Sequence, residues 1–95
     1  MPKLHPAGQE YRTATITDAP TQTIAVSFDG GTTWPKTCTR VDTTHVRFLV
    51  AGPSFSGPDP TATVLALGST DVYLRDLDNP ETVIRFAGRI DVGLQ

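Results

Sequence analysis

The sequence predicts an all-β fold, and three observations carry that reading. Apolar residues recur with a period of two, and turn residues cut the chain about every eight to twelve positions. Thr is the commonest residue, Gly and Pro number 8 each, and Glu occurs only at Glu10 and Glu81. The residues that usually fill the polar face of a helix are therefore scarce, while β-branched ones abound. The expected architecture is an immunoglobulin-like β-sandwich of about seven or eight short antiparallel strands. Residues 1–10 read as an extended N-terminal arm and 11–95 as a single β-sandwich domain.

Taken in order, the arm holds two prolines and a glycine with no alternation, so it is expected to order only against a neighbour. Arg12 to Asp18 reads as a strand with Ala14 and Ile16 inward and Thr13, Thr15 and Thr17 outward, ended by Ala19-Pro20. Gln22 to Phe28 alternates most clearly, with Ile24, Val26 and Phe28 on one face. Asp29-Gly30-Gly31 turns the chain, and Trp34 begins a short return that continues over Thr37 to Val41. His45 to Ala51 groups Val46, Phe48 and Val50, with Arg47 and Leu49 opposite.

Gly52 to Pro60 is a loop of prolines, glycines and serines around Phe55. Val64 to Leu67 is continuously apolar and reads as a strand buried on both faces. Val72, Leu74 and Asp76 alternate with Tyr73, Arg75 and Leu77, and Asp78-Asn79-Pro80-Glu81 forms a turn. Thr82 to Ala87 returns, Gly88 interrupts, and Ile90, Val92 and Leu94 make a last strand.

Charge narrows the function. Lys and Arg total 8 against 10 Asp and Glu, without the basic excess that nucleic-acid binding usually needs. No apolar run approaches the ~20 residues of a membrane helix, and the opening residues lack the apolar core of a secretory signal. A single cysteine, Cys38, makes no internal disulfide and fits a reducing compartment.

The most specific local pattern is Ser27-x-Asp29-x-Gly31-x-Thr33-Trp34, an Asp-box. Its carboxylate is expected to accept backbone N–H bonds across the turn while the indole packs on the stem. Repeated copies belong to propellers of several blades; one copy in a short chain reads as a well-made hairpin. Asp71, Asp76, Asp78, Asn79 and Glu81 are rich in oxygen ligands but lack calcium-loop spacing. They read as turn formers and as cross-strand partners for Arg75, Arg85 and Arg89. Cys38, His5 and His45 come with no orienting motif, and Cys38 reads as a small core residue. No catalytic residue, cofactor or metal site is expected, and the chain reads as not an enzyme.

Three phrases carry a resemblance. Leu4-x-Pro6-Ala7-Gly8-Gln9-Glu10-Tyr11-Arg12, Leu67 to Arg75 and Asp78 to Gly88 resemble small β-sandwich virion structural proteins of tailed actinobacteriophages, from the head–tail connection region. The resemblance implies a non-enzymatic particle component, made and assembled in the bacterial host cytoplasm, most naturally a head-to-tail connector (neck) protein. Its partners would be neighbouring connector, capsid or tail subunits and copies of itself in a ring or array, with no nucleic-acid specificity and no membrane. The expected docking elements are the arm and the 52–60 loop, with Leu4, His5, Pro6, Phe55 and Pro58 as contact residues. Ser27, Asp29, Gly31, Thr33 and Trp34 form the structural hairpin. Alternatives are capsid or tail decoration, or a carbohydrate-binding or adhesive module stacking sugars on Trp34, Tyr73 and Tyr11.

Overall fold

The computed structural model describes residues 3–17, 21–76 and 83–94. Among these, the chain forms eight strands and no helix. In order they are β1 (Gln9–Thr15), β2 (Ile24–Ser27), β3 (Lys36–Thr37), β4 (Thr39–Arg40), β5 (His45–Ala51), β6 (Thr63–Val64), β7 (Gly68–Asp76) and β8 (Ile84–Val92). One sheet has the order β3-β2-β7-β8; in the other, β1 lines the whole of β5 while β4 and β6 share β5's opposite edge. The strand pairings are antiparallel except the short β5–β6 one. The expected turns at Ala19-Pro20 and Asp78 to Glu81, and the strand-end residues Asp18 and Leu77, lie outside the described residues.

The core forms where the sheets face each other. Ala14 and Ile16 from the β1 segment and Val46, Phe48 and Val50 from β5 meet Ile24, Val26, Val72, Leu74, Ile90 and Val92 from the other sheet. Phe28 and Phe48 meet edge to face with centroids 5.7 Å apart, tying the layers together. Each fully buried Val, Leu or Ile stabilises the fold by roughly 1.5–3 kcal/mol, so this set outweighs any single polar contact.

Between β3 and β4 the chain changes sheets, and Cys38 is the pivot. Its N–H donates to the Ile24 carbonyl at 2.7 Å, and its side chain packs against the core. Burial pushes the Cys38 thiol up to about 12 against the opposing charge of Arg40, so it stays protonated. The return expected to run from Trp34 to Val41 is therefore two short strands in different layers.

Two further expectations change. Gly88 does not end a strand: β8 runs through it, and Ala87 is absorbed as an extra residue where Gly88 faces Val72 but Phe86 faces Tyr73. Val64 to Leu67 is not a doubly buried strand, because only Thr63 and Val64 pair and only Leu65 points into the core. Leu67 is 67% exposed. A short strand at a sheet edge has one covered face, which an unbroken apolar run does not reveal.

Asp76 shares the inward face of β7 with Val72 and Leu74, as its alternation predicts, and Arg85 reaches it from β8 at 2.7 Å and 3.3 Å. The carboxylate is almost wholly buried, so it is stable there only while a cation partners it. Arg89 pairs with Asp71 at 3.1 Å, while Arg75 stacks over Trp34 and meets no carboxylate among the described residues.

Candidate functional site

The residues expected to dock partners converge on one corner of the sandwich, but not as a free arm. Leu4 pairs with Val92 in a parallel bridge, donating to Asp91 O at 2.8 Å and accepting from Gly93 N–H at 3.1 Å. Its side chain is 1% exposed, inside the core. Residues 3–8, expected to order only against a neighbour, are ordered against this domain, and Gln9 and Glu10 already belong to β1. Leu4 is thus a core residue and not a contact anchor. Val92 ends its strand beside an uncovered edge, and a backbone there takes up any segment that brings donors, acceptors and one apolar side chain.

From Leu4 the chain turns at once. Gly8 N–H donates to His5 O at 2.9 Å across Pro6-Ala7, and His5 Nδ1 accepts from Ala7 N–H at 3.0 Å. Proline suits the first central position of such a turn because its φ is already set. The turn is laid directly on the 52–60 loop. Ser54 N–H donates to Pro6 O at 2.8 Å, Gly52 N–H to Gly8 O at 2.9 Å, and Asp59 N–H to Gln9 Oε1 at 2.9 Å. Gly52 is required by closeness: a Cβ there would lie 2.2 Å from Pro6 O.

His5 and Pro6 thus belong to a turn bonded to the loop that carries Phe55 and Pro58. His5 and Pro58 are exposed, whereas Pro6 and Phe55 are half-buried. His45, by contrast, has its Nδ1 2.9 Å from Asp42 Oδ1, and hydrogen bonds to Thr44 and to this ring hold the Asp42 carboxyl at about 2.

The Asp-box closes as its sequence implies. Asp29 Oδ1 accepts from Thr32 N–H at 3.1 Å, Thr33 N–H at 2.9 Å and Ser27 Oγ at 2.7 Å, and Oδ2 accepts from the Thr33 hydroxyl. Ser27 Oγ in turn accepts from Gly31 N–H at 3.0 Å. Hydrogen bonds from Thr33, then Ser27 and Thr32, hold the Asp29 carboxyl at about 2, well below its ordinary range. Gly30 and Gly31 take φ of 76° and 90°, and Trp34 lies beside Gly31 with Arg75 4.6 Å above its ring.

A second surface was not named from sequence. Cross-strand partners share a face, so Ser27, Tyr73 and Phe86 form one row, and Ala25, Arg75 and Ile84 the next, on the outer side of β2-β7-β8. Tyr73 and Phe86 meet edge to face at 5.5 Å. Phe86 is 60% and Ile84 51% exposed on a sheet-edge strand. Alternation over Thr82 to Ala87 put these two side chains together; which face they took depended on the bulge at Ala87. Among the described residues no group of three His, Cys, Asp or Glu is placed to hold a metal, and no helix is long and apolar enough to cross a membrane. Compared with protein-family models, curated proteins and solved structures, the chain matches none.

Proposed function

We propose that this chain is a non-enzymatic structural protein of a tailed-bacteriophage virion, working by docking at the head-to-tail connection. The resemblance of its opening and last-third phrases supplies the particle. The observation that supports docking is the outer apolar patch made by Tyr73 of β7 with Ile84 and Phe86 of the edge strand β8. The corner of His5, Pro6, Phe55 and Pro58 adds a rigid second contact surface, fixed by the backbone bonds to Gly52 and Ser54. Partners of this reading are neighbouring connector, capsid or tail subunits and further copies of the chain, assembled in the host cytoplasm.

Counting copies per purified particle against the major capsid protein, by quantitative mass spectrometry, tests the reading. A ring's worth of copies places the chain at the neck, and hundreds place it on head or tail as decoration. Its absence from particles overturns the virion reading. Phe86→Ser with the fold intact is expected to abolish incorporation, and normal incorporation would show that the apolar patch is not the docking face. The carbohydrate-binding alternative is less supported, since Arg75 already covers one face of Trp34.

A further inference from the structure

The edge of β5 opposite β1 is split: β4 pairs with it at Val46 and Arg47, and β6 at Val50 and Ala51. Phe48 and Leu49 are left between the two short strands, and a cleft of about 280 Å³ opens there between the sheets. Its polar lining is one-sided. Lys36 and Arg47 supply two cations, Thr37, Thr39, Thr61 and Thr63 supply hydroxyls, and among the described residues no carboxylate lines it. Asp59 stands one step away, accepting from the Thr61 hydroxyl at 2.7 Å, so the balance at the cleft remains positive in a chain whose net charge is −2.

Both cations are held in place. Lys36 Nζ donates to Pro60 O at 2.8 Å, which leaves two of its three N–H bonds for a ligand. Arg47 has its guanidinium carbon 4.3 Å from the Tyr11 ring centroid, a stack that uses the face of the group and leaves its N–H edges for a ligand. Thr63 Oγ1 is buried and without a hydrogen-bond partner. A buried hydroxyl left unpaired is costly, so its presence calls for an oxygen or nitrogen from outside the chain.

We infer that this cleft is a binding site for a carboxylate, gripped by Arg47 and Lys36 with Thr63 donating from below. Arg47's planar fork matches a carboxylate edge, and the volume suits a short acid or a single acidic side chain more than a drug-sized ligand. The carboxylate is supplied by a free small acid or by a Glu or Asp side chain of a partner; the inference does not depend on the virion reading.

Amide NMR shifts of the ¹⁵N-labelled full chain, titrated with glutarate at constant ionic strength, test the site. Saturable shifts are expected at Thr37, Arg47 and Thr63, with half-saturation on the order of millimolar. Arg47→Gln is expected to raise the half-saturation by about tenfold or more, and Thr63→Val to raise it without lowering the melting temperature. Arg47 is exposed, so its variant folds even if Lys36→Gln does not. Shifts that grow linearly with concentration, or equal half-saturation in wild type and Arg47→Gln, would overturn the site. Saturation by inorganic phosphate but not by glutarate would overturn the carboxylate assignment. A blocked Gly-Glu-Gly tripeptide binding tighter than glutarate assigns the carboxylate to a partner protein, and the reverse order assigns it to a free acid.

Discussion

The Asp-box turn and the N-terminal corner are both rigid, but they are built in opposite ways. In the turn every bond joins residues within four positions of one another, and side chains do the work: Asp29 and Ser27 between them accept from the backbone of Gly31, Thr32 and Thr33. In the corner the bonds that tie the N-terminal segment to the domain are mostly between backbones, and their partners are remote: Leu4 with Asp91 and Gly93, Pro6 with Ser54, Gly8 with Gly52. A local motif advertises itself through residue types at fixed spacing. Backbone groups are the same for every residue, so a remote backbone pairing leaves almost no mark in the sequence.

That contrast is sharpest at the glycines. Gly52→Ala is expected to have the largest effect, because its Cβ would fall 2.2 Å from Pro6 O and 2.5 Å from the Pro6 carbonyl carbon. Neither backbone can yield alone, so a loss of about 3 kcal/mol or more is expected in denaturant unfolding, with the N-terminal segment released. An alanine variant as stable as wild type would mean that the corner is loose. Leu4→Ala comes next, at about 2–5 kcal/mol for a large side chain removed from the core. A loss under about 0.5 kcal/mol, ordinary for a surface change, would restore the picture of a free arm.

Gly31→Ala probes the local turn, where the obstacle is conformation and not space. Its φ is 90°, while the nearest atom to an added Cβ, Trp34 Cζ2, lies 3.6 Å away. A loss of about 1–2 kcal/mol is expected, confined to the hairpin. The smallest effect belongs to Asp29→Asn and is read as pH dependence. Asp29 has its carboxyl lowered from 3.8 to about 2 on folding, so its contribution is complete above pH 3.8 and fades as pH falls through about 2. Acid titration of wild type minus variant should therefore lose its difference between about pH 4 and pH 2. A difference that stays constant across that window would show that the carboxylate's charge contributes nothing.

The same division explains what could be read from the chain alone. Ala14, Ile16, Val26, Val46, Phe48, Val50, Val72 and Leu74 all show their inward face through alternation, and the hairpin shows its bonds through spacing. Leu4 is a single apolar residue among prolines, too short a pattern to carry a period. Val64 to Leu67 misleads for the converse reason: its composition suits a buried strand, but its position at a split edge leaves Val64, Ala66 and Leu67 outside. The carboxylate cleft was equally silent, since Lys36, Arg47 and Thr63 line it from β3, β5 and β6, strands that lie far apart in the chain and in two sheets. Phe55 and Pro58 were legible as loop residues, and their union with Pro6 depends on two glycines, Gly8 and Gly52, whose pairing no local rule specifies.

Native-state amide hydrogen exchange measures that union most directly. The Leu4, Gly52, Ser54 and Gly93 amides, which carry the remote bonds, should exchange as slowly as those within β7 and β8 and should lose protection together in Gly52→Ala. Exchange at these amides near the rate of an unstructured peptide, while β7 and β8 stay protected, would contradict the account and return residues 3–8 to the status of an arm awaiting a partner.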